Sequence, residues 1–229
     1  LEAVKTGKAT KSVERSVGQE VTLPTAAPIV VNGYLVGPGA NLSGANLSYQ
    51  DLDGVDFTGA DLTNAELQFS SLVGSVFIGI SATGANFDGS NLEGAIFRDA
   101  KLQNASFGLE MKTSGGKLYR TTLDNTDFSN ATMSGATFAG ATISNAKFVN
   151  VKASNAEFLG VRMRNSDLTN GDFRNSEFSC CYVAPESTSV VVGSFVFLVA
   201  DLTGSDLTGA DFTGATMTNV IMPDGKKHP

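Results

Sequence analysis

Along most of the chain a large apolar residue returns every fifth position, and its surroundings repeat with it. Leu42, Leu47, Leu52, Phe57 and Leu62 open the series, which holds to Phe107. After a break the phase moves by one, giving Leu123, Phe128, Met133, Phe138, Ile143 and Phe148, and the series runs on to Phe178. A second break restores the first phase with Leu202, Leu207, Phe212, Met217 and Met222. Period five suits neither an α-helix nor a coiled coil, because such residues spiral around a helix and leave no stripe. Each glycine would also cost a helix up to about 1 kcal/mol. Read as extended chain, the pattern closes. Side chains then alternate, so the large residue (the centre) and the one two positions earlier point the same way. That earlier residue is small: Ala45, Ala60, Ala85, Ala131, Ala146, Ser166. The residues flanking a centre, such as Asp61 and Thr63, are mostly polar and point outward. Gly or Asn ends many repeats (Gly44, Gly59, Gly135, Asn130, Asn150), and both tolerate the positive φ of tight turns. Every five residues therefore predict one short strand and one corner, and so small a unit buries nothing except against its neighbours.

The segments Ala40-Asn41-Leu42-Ser43-Gly44, Ala60-Asp61-Leu62-Thr63-Asn64 and Ala210-Asp211-Phe212-Thr213-Gly214 share the form A-(D/N)-L-x-x. With about thirty such units, the chain resembles the pentapeptide-repeat family. The resemblance covers roughly residues 40–107, 121–183 and 198–224. It implies an all-β fold, a right-handed quadrilateral parallel β-helix with four pentapeptides per coil. Such a repeat solenoid would have about seven to eight coils and a length of about 40 Å. Stacked centres, among them Leu42, Leu62, Phe87, Phe128, Phe148, Leu168, Leu207 and Phe212, would fill its core. Ala82 and Ala153 also stand at centres, and narrowed or distorted coils are expected there.

The breaks in the pattern divide the chain. Residues 1–23, with Lys5, Lys8, Lys11 and Arg15, read as a solvated arm or short helix. Residues 24–39 hold a strand-like run with an Asn32-Gly33 turn and are assigned as the cap that an open solenoid end requires. Three β-helix blocks follow, at 40–107, 121–183 and 198–224. Between them lie a loop at 108–120, with Leu118 a candidate re-entering centre, and an apolar insertion at 184–197. The tail at 225–229 is polar and too short to cap the last coil, which leaves open a homodimer through that exposed end.

Composition removes more functions than it adds. The net charge of −7 and sequence pI near 4.7 give no basic cluster for nucleic acid or anionic membrane, and neither is expected as a partner. No apolar run approaches the length that spans a bilayer, so a soluble protein is expected. The compartment stays open: cytoplasmic, or periplasmic or lumenal if a signal was removed before Leu1. Cys180 and Cys181 are neighbours in sequence and read as free thiols; no metal-ligand spacing accompanies them. The one histidine, His228, lies in the tail, so a nucleophile would lack its base. The carboxylates fall mostly in the outward slot before a centre (Asp51, Asp56, Asp61, Asp127, Asp167, Asp206) and read as solvated repeat positions. No enzyme and no cofactor are expected.

What remains is a non-catalytic structural or protein-binding solenoid with an unidentified protein partner. The resemblance brings one alternative, since some family members mimic DNA and modulate DNA gyrase. Mimicry needs acidic rows along the rod, whereas Asp51, Asp53, Asp56 and Asp61 form a belt. Lys147, Lys152, Arg162, Arg164 and Arg174 interrupt the middle. Ice binding by a flat Thr face is less favoured still, because a period of twenty stacks only Ser43, Thr63, Thr83 and Gln103. Four outward slots close together hold apolar residues, Val73, Val76, Ile78 and Ile96. They are either covered by a folded-back segment or form an interface.

Overall fold

The computed structural model describes residues 9–13, 21–25, 28–111, 118–179 and 200–228. Its body is a right-handed, four-sided parallel β-helix. Parallel bridges join positions twenty apart, as in Asn41↔Asp61, Asn46↔Glu66, Asp51↔Ser71 and Asp56↔Val76. These four columns define faces 1 to 4 in chain order. On each rung the centre N–H donates to a carbonyl of the next coil, for example Leu42 to Asp61 at 2.7 Å. The residue before the centre donates to the coil below, as Asp61 does to Ala40 at 2.9 Å. No strand edge is left open within the rod.

The interior shows why the pattern folds this way. Centres and the small residues before them are buried together, Leu62 and Ala60 being typical. Phenylalanines concentrate on two opposite faces. Phe57, Phe77, Phe97, Phe128 and Phe148 stack on face 4, at ring separations of 4.4 to 5.1 Å. Phe87, Phe107, Phe138, Phe158 and Phe178 stack on face 2. The two columns meet edge to face along the axis, as Phe87 meets Phe97 at 5.7 Å and 87°. Both arrangements are favoured ring geometries.

Ala82 and Ala153 do not distort their coils. The ladder passes through both, with Ala82 donating to Lys101 at 2.7 Å and Ala153 to Asp172 at 2.8 Å. Two positions earlier stand Ile80 and Val151, each buried where the pattern has Ala or Ser. Large and small residues have exchanged places, so the coil keeps its volume.

Hairpins decorate the rod. β1 (Ala9–Val13) pairs antiparallel with β2 (Val21–Thr25) in the region read as an arm or short helix. β3 (Ile29–Val31) and β4 (Tyr34–Val36) flank the turn of Asn32 (φ 50°) and Gly33 (φ 85°). Val36 is buried against the core, Val31 packs beside it, and Asn32 donates to the Asn46 carbonyl at 3.0 Å. This hairpin covers the first coil. β5 (Leu109–Met111) and β6 (Leu118–Arg120) form the base of the first insertion. Leu118 pairs with Met111 in that hairpin, and the next described centre is the buried Leu123.

The second insertion follows Ser179, and the apolar run at 184–197, with Cys180 and Cys181, lies outside the described residues. Both interruptions of the pattern follow a face-2 centre, Phe107 or Phe178. At the far end, Ile221 forms an antiparallel bridge with Lys227, which covers one face only. Leu207, Phe212, Met217 and Met222 pack on the core yet stay partly exposed, with no further coil over them among the described residues.

Candidate functional site

The solenoid interior is filled, so any function must use outward residues. Many of these already have structural work. Where Asp or Asn precedes the centre it accepts the N–H two residues on, as Asp61 does from Thr63 at 3.0 Å and Asp167 from Thr169 at 3.0 Å. These are Asx turns that hold each corner. The reading of the carboxylates as merely solvated is thereby corrected: Asp56, Asp61, Asp127, Asp167 and Asp206 each accept such a bond. The bonds hold the Asp61 carboxyl below its ordinary range. Burial pushes Asp127 up, but bonds from Ser129 and Arg98 outweigh it and keep the group low. Asp201 behaves alike with Thr203 and Arg164.

Buried serines take part in a second ladder. Ser70 Oγ donates to the Leu47 carbonyl at 2.8 Å and accepts the Gln50 N–H at 3.2 Å; Ser166 donates to Ile143 at 2.7 Å. Among the described residues no group of His, Cys, Asp or Glu is arranged to hold a metal ion, and no helix is long and apolar enough to cross a membrane.

The charged columns mix both signs, and carboxylates stack in pairs at Asp167↔Asp206, Asp172↔Asp211 and Glu157↔Glu177. Face 4 stacks Asp127, Lys147 and Asp167, and face 1 stacks Lys152 on Asp172. Among the described residues these acidic runs are two coils long, ended by Lys147 on face 4, Lys152 on face 1 and Thr137 and Thr216 on face 2. Ser43, Thr63, Thr83 and Gln103 do stack, but Gln103 ends the run and Ser134 follows it.

The four apolar outward residues fall unequally. Val76 and Ile96 are adjacent in the face-4 column, between Asp56 below and Asp127 above. Val76 keeps only 3% of its surface exposed, whereas Ile78 and Ile96, and Val73 on face 3, are half-buried. Larger exposures occur on the cap, at Val30 (73%) and Leu35 (62%), which pair across β3 and β4.

One corner departs from the sequence pattern. Tyr49 (φ 62°) and Phe69 (φ 57°) hold left-handed backbone in the slot elsewhere given to Gly, Asn or Asp. Their rings stack at 5.0 Å, and Tyr119 of β6 meets Phe69 edge-on at 5.4 Å. Gly89 makes the room, since a Cβ there would lie 2.9 Å from Phe69. An aromatic residue in a corner slot was the available signal.

Comparison with known proteins bears on the same pattern. The family profile "Pentapeptide repeats" matches residues 40–79, 75–108, 117–150, 143–179 and 197–223, in 8 copies. The chain belongs to the pentapeptide-repeat family. Several solved family members resemble it at low identity. HetL, a pentapeptide repeat protein involved in heterocyst differentiation regulation in Nostoc sp. strain PCC 7120, shares 23% identity over 83% of this chain and 86% of its own, with a TM-score of 0.30. A pentapeptide repeat protein of the Arabidopsis thaliana thylakoid lumen shares 22% over 68% and 80%, with a TM-score of 0.40. QnrB1, a plasmid-mediated fluoroquinolone resistance protein, shares 20% over 77% and 79%, with a TM-score of 0.36. A search among curated proteins found no match.

Proposed function

We propose that this pentapeptide-repeat protein is a non-catalytic solenoid that binds another protein through its outward face. The observation that supports this reading is the apolar cluster on face 4, where Val76, Ile78 and Ile96 stand between coils that carry Asp56 and Thr58 below and Asp127 and Ser129 above. Val76 is buried and supports the patch; Ile78 and Ile96, with Val73 beside them, supply its accessible surface. A half-buried apolar strip flanked by Asp56 and Asp127 has the apolar centre and polar rim of a protein interface. Catalysis finds no support in the outward carboxylates, because most are engaged in Asx turns.

Affinity capture with the wild type and with Ile78→Asp/Ile96→Asp tests the reading. The expected result is loss of a specific partner by the variant, with thermal stability retained. Capture of the same partners by both proteins would contradict it.

A further inference from the structure

Face 3 carries a cluster that the protein-binding reading does not use. Thr142 and Ser144 flank the centre Ile143, and Arg162 and Arg164 flank Met163 one coil later. The register is set by the Thr142↔Arg162 bridge and by Asn145 donating to the Arg164 carbonyl at 2.9 Å. Four outward side chains thus stand at the corners of a rectangle of about 4.8 by 6.5 Å, the strand spacing and the two-residue step along a strand. They line a groove of about 550 Å³ with Asp124, Asp201 and Ile221.

Every corner of the rectangle is a hydrogen-bond donor. The Thr142 and Ser144 hydroxyls and the whole Arg162 guanidinium have no partner among the described residues. Asp201, next above Arg162 in the column, is already taken: Oδ2 by Arg164 Nε at 2.6 Å, and Oδ1 by the Thr203 N–H and hydroxyl. Asp124 lies on the lower rim, where its Oδ1 accepts the Ser144 N–H at 2.7 Å. A second cation, Arg120, stands close by, bonded one residue before the Ala141 carbonyl that accepts the Arg162 N–H; burial, with the Arg162 charge added, lowers its pKa. Arg120 itself is directed to the Gly140 carbonyl at 2.6 Å.

We propose that Thr142, Ser144, Arg162 and Arg164 form a binding site for a tetrahedral oxyanion, the phosphate group of a ligand. Arg162 supplies a forked donor pair that no carboxylate of the groove engages. The hydroxyls donate from the coil below, and the free guanidinium nitrogens of Arg164 close the fourth side. The phosphate belongs either to a small phosphate ester or to a phosphorylated side chain of a partner, and both present the same oxygens to the rectangle.

The test is an NMR titration with inorganic phosphate at constant ionic strength, comparing wild type, Arg162→Gln and, as a charge-matched control on face 1, Lys152→Gln. Saturable shifts are expected at residues 142–145 and 162–165. Arg162→Gln should weaken binding about tenfold, the usual scale for one charged hydrogen-bonding group, at an unchanged thermal midpoint. Lys152→Gln should bind as the wild type does. Absence of saturable shifts up to about 50 mM phosphate, or equal binding by Arg162→Gln, would overturn the site. A phosphoserine peptide and glycerol phosphate, titrated in parallel, identify the source by which of them binds more tightly.

Discussion

Arg164 donates from Nε to Oδ2 of Asp201 at 2.6 Å, although 37 positions separate them and an insertion lies between. Arg98 and Asp127 repeat the arrangement at 2.6 Å across the first insertion. Arg174 and Asp211, at 3.9 Å, again join coils on either side of the second. Among the described residues, each ion pair between coils spans an insertion. Each such pair ties the register where chain continuity does not.

Removing the Asp201 side chain should therefore cost more than removing its charge. Asp201→Asn keeps an oxygen for the Thr203 turn and loses an ion pair whose arginine is largely exposed, so a cost under about 1 kcal/mol is expected. Asp201→Ala also strands the Thr203 N–H and should cost about 1–3 kcal/mol. Urea denaturation of both variants checks the order.

Ile80→Ala empties a buried position whose partner centre is already Ala82. A loss of about 2–5 kcal/mol is expected. The double variant Ile80→Ala/Ala82→Leu restores the usual arrangement and should recover most of that loss. A double variant no more stable than the single one would show that the exchange of sizes is not what fills this coil.

Corner glycines should differ by what lies beneath them. Gly84 (φ +68°) sits above Asn64, whose Oδ1 would be 2.5 Å from an added Cβ, whereas Gly94 (φ +67°) has open space. Gly94→Ala should cost only the left-handed strain, about 1 kcal/mol, and Gly84→Ala measurably more. Thermal midpoints of the two variants decide the point.

Acid should destabilise the fold. The carboxyls of Asp61, Asp127, Asp172, Asp201, Asp206, Asp211 and Asp224 are all lowered from 3.8. A group depressed in the folded state stabilises it above the unfolded value and loses that contribution as pH falls through the folded one. The urea midpoint should thus be steady above about pH 5 and fall below about pH 4. A midpoint that stays flat or rises in that range would contradict the shifts.

Much of this was legible in the sequence, for identifiable reasons. The fivefold recurrence of Leu42, Leu47 and Leu52 sets strand, corner and coil together, because one short period fixes all three. The compensation at Ile80 and Ala82 was also present, though it appears only when the centre and the residue two before it are read as a single volume. The Asx role of Asp61 could not be separated from solvation by its outward position alone, since both place it on the surface. The burial of Val76 was not visible either. Outward direction follows from spacing, but coverage depends on neighbours such as Ile96 that come from other coils.

The proposed protein interface is the apolar break on face 4. Hydroxyl-radical footprinting of the protein with its captured partner, against the protein alone, measures this directly. Protection of Ile78 and Ile96, with Val73 at the margin, is the predicted result. Unchanged labelling at Ile78 and Ile96, with protection confined to other faces, would contradict the account.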